Sequence, residues 1–146
     1  MAAGGTLDQL PGWAQALIGE ARVGHLGLLD EGGRPRVLPV TFAVVDGAIW
    51  SAIDHKPKRL PGEDLARVRW LRARPESTLT IDRYNDDWNR LAWVQLIGTT
   101  AVVGVAGNEG VLAALAARYP QYRDQRPGGP LLCLTPERTV CWSASE

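Results

Sequence analysis

The densest chemistry in this sequence lies between Asp54 and Arg74. From Lys56 onward, seven cations (Lys56, Lys58, Arg59, Arg67, Arg69, Arg72 and Arg74) stand against two anions, Glu63 and Asp64. Lys56, Lys58 and Arg59 fall in a polar, proline-containing loop directly before a helix start. There, ammonium and guanidinium groups combine with free backbone N–H groups to hold a phosphate. The same charges suit a solvated loop, and the four later arginines suit a solvent-facing helix surface. Asp54-His55 has the composition of an acid–base pair, but adjacent residues rarely face each other. His55 and Tyr84 are the candidate proton donors. His25 sits in an apolar strand and reads as a structural histidine. Asp82, Asp86 and Asp87 are spaced like part of a calcium loop but lack its glycine and distal glutamate, and Gly104, Gly107 and Gly110 lack the spacing of a dinucleotide fingerprint. Cys133 and Cys141 are too few for a disulfide framework and too sparse for zinc, so they read as reduced, buried thiols and no metal is expected.

The elements that must position these groups belong to one domain, residues 1–146. Sixteen Lys plus Arg balance sixteen Asp plus Glu, and 45% of residues are hydrophobic, enough for a packed core. Zero net charge and the lack of aromatic residues among the basic ones argue against a nucleic-acid partner. Six of the ten aromatic residues are Trp, which points to a flat ligand or an interface, because indole joins an apolar face to one donor. No apolar stretch is long enough to span a membrane and the start lacks a signal-peptide pattern, so the expected location is cytoplasmic, with no membrane partner.

Apolar residues at spacings of three and four predict a helix from Leu7 to Ala21, with Pro11 in its first turn. Gly24–Asp30, Arg36–Val45 and Ala48–Ile53 read as a three-stranded meander, with Asp46-Gly47 as a hairpin turn. The run Val37–Val45 does not alternate, which predicts a strand covered on both faces. Pro39 within it predicts an edge or bulge, where backbone groups are left free for a ligand. A helix is expected from about Glu63 to Ala73, then a strand over Ser77–Ile81 and a polar loop over Asp82–Arg90. A β-rich run from Leu91 to Val105 is broken by Gly98, a bulge signal. A helix over Asn108–Tyr119, with Asn108 as its cap, is halted by Pro120, and a linker runs from Gln121 to Pro130. Leu131–Thr135 and Arg138–Ser143 then form a last hairpin around Pro136-Glu137. Strands without strand–helix alternation favour a mainly β (α+β) fold, a closed antiparallel barrel of about six to seven strands with peripheral helices.

Four blocks together carry a family resemblance: Gly33-Arg-Pro-Arg-Val-Leu-Pro-Val-Thr-Phe42, Ile49-Trp-Ser-Ala-Ile-Asp-His-Lys-Pro-Lys-Arg59, Asp64 to Pro75, and Ser77 to Trp88. The chain resembles the pyridoxamine-phosphate-oxidase-like flavin and deazaflavin proteins, most of all the actinobacterial branch assigned to coenzyme F420. The resemblance implies a split β-barrel homodimer with cofactor sites at the subunit interface. It implies that Pro39, Val40 and Thr41 run beside the tricyclic ring, that Ser51, Ala52 and Ile53 border the ring and ribityl chain, and that Lys56, Lys58 and Arg59 hold the phosphate. Trp88 would face the ring or substrate, or else pack its loop against the barrel. Trp50, Trp70 and Trp93 read as core or interface.

A reduced deazaflavin donates hydride, so the expected function is an F420-dependent oxidoreductase acting on a small organic acceptor, with no nucleophile or metal required. FMN is the alternative cofactor, in a flavin reductase or pyridoxamine-phosphate oxidase, and a non-catalytic F420 carrier is the other reading. Oxidases of that vitamin use an Arg-x-His element near the C-terminus, whereas this sequence has Val140-Cys-Trp-Ser-Ala-Ser-Glu146. F420 bears an anionic oligoglutamate tail beyond its phosphate, and Arg67, Arg69, Arg72 or Arg74 would extend the cation patch toward it.

Overall fold

The computed structural model describes residues 2–4, 6–53 and 65–145. In chain order the elements are β1 (Ala2–Gly4), α1 (Gly12–Glu20), β2 (Gly24–Leu29), β3 (Pro35–Val40), β4 (Ala43–Val45), β5 (Ala48–Ala52), α2 (Ala66–Ala73), β6 (Glu76–Arg83), β7 (Ala92–Val103), α3 (Glu109–Arg118), α4 (Gln121–Asp124) and β8 (Leu131–Ser143). The helix expected from Leu7 is a 3-10 turn at Leu7–Gln9 followed by α1, with Pro11 capping α1 from outside. Pro120 halts α3 as expected, yet it also opens the one-turn α4 inside the supposed linker. Asn108 precedes α3, but its amide donates to Gly104 O at 2.8 Å instead of capping the helix.

All strand pairings are antiparallel, in the order β3-β2-β6-β7-β8-β5-β4, and β1 adds to β8. Among the described residues the sheet is therefore not closed by hydrogen bonds, and β3 and β4 are the two ends of that path. Yet only Thr41 and Phe42 join those edges. Val40 and Ala43 thus lie within about 11 Å of each other, since each residue spans at most ~3.6 Å. A sheet whose opposite edges are tethered this closely must curl round, which makes it the split antiparallel β-barrel that the family resemblance implies, not the closed barrel that strand count alone favours.

Two expectations about individual strands are corrected by this topology. The apolar run 36–45 is not one strand of a meander but two, at opposite ends of the sheet. Arg36, Val37 and Pro39 are exposed because β3 is an edge strand, which is where a residue without an N–H is tolerated. Second, the expected C-terminal hairpin is the single strand β8. Ile97 pairs with Arg138 and Gly98 with Pro136, so Glu137 is an extra residue that bulges, and Pro136 forfeits no ladder bond where the ladder is already broken. Gly98 is obligatory there, because a Cβ would sit 2.0 Å from Thr135 O. The Asp46-Gly47 turn forms as expected, with φ of 51° and 75°, the left-handed pair that a two-residue hairpin of matching twist requires.

The barrel interior and the buried faces of α1 and α2 form one apolar cluster, including Leu26, Phe42, Leu79, Ile81, Val94 and Leu96. A second cluster seats α3 and α4 on β4, β5 and β8 through Val111, Leu115, Tyr119 and Tyr122.

Candidate functional site

Among the described residues the barrel interior holds a cavity too small for a flat ligand. This cavity, lined by Leu26, Val40, Ile49, Ser51, Leu79 and Thr100 among others, measures about 20 Å³, the space of about one water molecule. Val40, Ser51 and Ile53 are buried against this core, and Ala52 is buried in the cluster under α3 and α4. Side chains of these four are therefore packing groups, and a ligand beside them would meet backbone.

The Thr41-Phe42 connection between the edges is held from three directions. Ser51 Oγ donates to Thr41 O at 2.6 Å, so the structure does bring these two expected site residues together. The Thr41 hydroxyl lies 2.9 Å from the Tyr122 hydroxyl. Phe42 N donates to the Tyr119 hydroxyl at 3.0 Å, and that hydroxyl has Arg22 O at 2.9 Å and Phe42 O at 3.1 Å as acceptors for its single proton. Residues some eighty positions downstream thus position the seam. Nothing in the local sequence around Thr41 signals this.

Outside the barrel, an open groove of about 740 Å³ runs over β3, β2, β6 and β7. Strand alternation builds it. Leu26, Leu28, Leu79 and Ile81 point inward, so His25, Gly27, Thr78, Thr80 and Asp82 point out. Register then aligns them in rows: Pro39, His25, Thr80 and Gln95 form one, and Asp82 pairs with Trp93 in another. Gln95 Nε2 donates to Thr80 Oγ1 at 3.4 Å. The half-buried indole of Trp93 gives this wall a flat apolar face beside hydroxyl, amide and imidazole groups. His25 is exposed, not the structural histidine that an apolar strand suggested. The alternation of Leu26 and Leu28 was the signal for its outward direction. Trp93, Gln95 and Thr80 had no signal beyond their place in a strand.

Tyr84 and Trp88 lie in the loop joining the two strands that carry Asp82 and Trp93, and are 68% and 71% exposed. Arg83 Nε closes that loop on Arg90 O at 2.8 Å, and Asp87 accepts from Asn89 N at 3.1 Å. Neither aromatic ring packs the loop on the barrel. His55, Lys56, Lys58 and Arg59 lie outside the described residues, as do Glu63 and Asp64. Of the α2 arginines, Arg74 Nη1 donates to Asp30 O at 3.1 Å and abuts Gly33, so it serves the β2–β3 turn. Arg69 and Arg72 are on the exposed side of α2, whose Val68, Trp70 and Leu71 face the core. Trp50 is half-buried with its indole N–H on Val45 O at 3.3 Å, and Trp70 donates to the Glu31 carboxylate while Arg36 stacks over its ring.

Two groups are electrostatically committed to structure. Asp30 accepts from Arg34 N at 2.9 Å and Gly32 N at 3.0 Å and pairs with Arg36 at 3.6 Å. The Arg34 N–H leads in holding its carboxyl below the usual range; burial opposes this, and the Gly32 N–H and Arg36 reinforce it. Burial pushes the Cys133 thiol up, against a smaller opposing hydrogen bond with Thr135, which suits an unreactive thiol rather than a nucleophile. Neither cysteine is in a disulfide, and Cys141 is buried. Among the described residues no helix is long and apolar enough to cross a membrane.

No protein-family model and no curated protein matches the chain. Solved structures do match in fold. A conserved hypothetical protein from Mycobacterium tuberculosis superposes with a TM-score of 0.74 at 18% identity, covering 97% of this chain and 90% of that one. A FAD-binding protein from Mesorhizobium loti gives 0.66 at 17%, covering 97% of both chains. A Clostridium acetobutylicum protein related to general stress protein 26, of the pyridoxinephosphate oxidase family, gives 0.64 at 19%, covering 92% and 88%. A heme storage protein from Vibrio cholerae gives 0.68 at 17%, covering 88% and 90%. The fold is that of the pyridoxamine-phosphate-oxidase-like split barrels, whose solved members include flavin-binding and heme-binding proteins.

Proposed function

We propose that this protein is an F420-dependent oxidoreductase that transfers hydride between the deazaflavin and a small organic acceptor, as a homodimer whose second copy completes each cofactor site. The observation that carries this reading is the open groove beside the seam: an edge strand with a ladder on one side among the described residues, a flat indole and a row of hydrogen-bonding side chains. Its volume lies within the range of sites that hold a cofactor-sized ligand. The residues fit a tricyclic ring. Among the described residues β3 has a ladder partner on one side only, β2, and Trp93, Thr80 and Gln95 supply a face and polar contacts.

When bound, the reduced deazaflavin supplies the hydride. The chain's own part is to hold and orient it. Pro39, Val40 and Thr41 would offer backbone contacts, with the seam fixed by Ser51, Tyr119 and Tyr122. Lys56, Lys58 and Arg59 would hold the phosphate. Arg67, Arg69 and Arg72 would extend the positive surface toward an anionic tail; Arg74, engaged by the β2–β3 turn, leaves that group. Tyr84 and His55 stay candidate proton donors, and exposed His25 joins them. Trp88, exposed on its loop, would cover the ring of the same or the partner subunit.

Side-by-side fluorescence titration of the apoprotein with F420 and FMN tests this. The expected result is tighter binding of F420. Equal affinity would leave the FMN alternative in its place, and binding of neither would remove the flavin reading. Bound reduced F420 that survives a panel of enone, nitro and quinone acceptors would make the protein a carrier.

A further inference from the structure

A second cleft, of about 960 Å³, lies between α1, α3, the β4–β5 hairpin and the β8 bulge. It is distinct from the sheet-face groove and shares no residue with it. Its space exists because the facing positions are small. Ala43, Ala114 and Ala117 stop at Cβ, so the two helices leave a gap that Leu7, Ile18 and Val44 line without filling. Val44 remains 44% exposed although apolar.

One cation, Arg118, stands in this lining. Its guanidinium donates to Gly19 O at 2.9 Å and to Ala21 O at the end of α1, and it lies 5.0 Å above the Phe42 ring. Those acceptors are neutral. Arg118 makes no ion pair with a described carboxylate, and its buried Nε has no hydrogen-bond partner. A half-buried positive charge with no counter-ion, at the wall of a mostly apolar cleft, is complementary to a single negative charge on an apolar body. Asp8 and Asp46 also line the cleft. Asp8 already accepts the Thr6 hydroxyl at 2.6 Å, and Asp46 lies exposed at the hairpin tip. These two carboxylates oppose a second anionic group on the ligand.

We infer that this cleft binds a small amphipathic monocarboxylate, its carboxylate toward Arg118 and its apolar chain along α1 and α3. The site is separate from the cofactor reading and stands or falls without it.

Calorimetric titration of the purified protein with decanoate, decanol and decanedioate, below micelle-forming concentrations, tests the inference. Decanoate is expected to bind saturably at one site per chain, and about tenfold or more tighter than decanol or the dianion, because its contact to Arg118 is charge-assisted. Ala117→Trp, an exposed α3 position that fills the cleft without touching the core, should abolish binding while leaving the melting temperature unchanged. Arg118→Gln should bring decanoate down to the decanol level. Absence of saturable decanoate binding, equal affinity for decanol, or binding that survives Ala117→Trp would each overturn the proposal.

Discussion

Tyr119→Phe is the sharpest probe of how this barrel is held together. Substitution keeps the ring, which is 6% exposed and sits 5.7 Å from the Tyr122 ring in an edge-to-face arrangement, so the change is confined to one oxygen. That oxygen is the acceptor for Phe42 N, which lies in a fully buried residue with no other acceptor shown for it. It is also the donor to one of Arg22 O and Phe42 O, having a single proton for two carbonyls. Removing it orphans a buried N–H outright and leaves a carbonyl short of one bond. A buried polar group stranded in this way costs about 1–3 kcal/mol. Taking ~2 kcal/mol, the melting temperature of a chain this long should fall by about 4–8 °C. Urea denaturation of the two proteins measures it directly: the midpoint should drop with the slope unchanged, since the surface exposed on unfolding is the same. Tyr84→Phe, at an exposed ring, is the matched control and should leave the midpoint where it was. If Tyr119→Phe costs no more than that control, the seam is not held by this hydroxyl, and the account of how distant residues shape the site fails.

Three further outcomes are expected. Gly98→Ala should be severely destabilising in a thermal melt because its Cβ would meet backbone at 2.0 Å, whereas Gly24→Ala meets the Leu79 side chain at 2.9 Å, which can shift where backbone cannot, and should cost less; equal effects would sink the bulge argument. For Asp30 the carboxyl is lowered in the folded state, so its stabilisation is complete above about pH 4 and disappears as pH falls through the lowered value. The difference in urea midpoint between Asp30→Asn and the parent should therefore shrink from pH 6 to pH 2.5, and a constant difference would contradict it. Lys58→Ala should weaken F420 binding by at least about 1 kcal/mol, about fivefold in the titration; an unchanged curve takes Lys58 out of the site.

Local chemistry made part of this architecture legible. Asp46-Gly47 is a hairpin because few other pairs accept two left-handed residues, and Pro39 marks an edge because it cannot donate to a ladder. Gly98 marks a bulge because nothing larger fits. Other features depend on partners that sequence spacing does not reveal. The 36–45 run is apolar through the corner at Thr41-Phe42, so no change of period marks where one edge strand ends and the other begins. Pro136-Glu137 has the composition of a turn, and only the long partner strand β7 shows that it is a bulge within one strand. At the candidate site, Pro39 was readable from its own chemistry, while the groove of His25, Thr80, Gln95 and Trp93 emerges only when four strands come into register.

The open seam has a dynamic consequence. β7 is paired along its length with β8 and on its other side with β6, so its amides are released only by opening that takes neighbours with it. Among the described residues β3 and β4 have a ladder on one side only, and the covalent link between them is two residues long. Hydrogen exchange should follow that gradient, slow along β7 and β8 and fast along β3 and β4, with protection restored at β3 when a ligand occupies the groove. The barrel can therefore breathe at its seam while its central ladder stays shut, so local opening there requires no global unfolding.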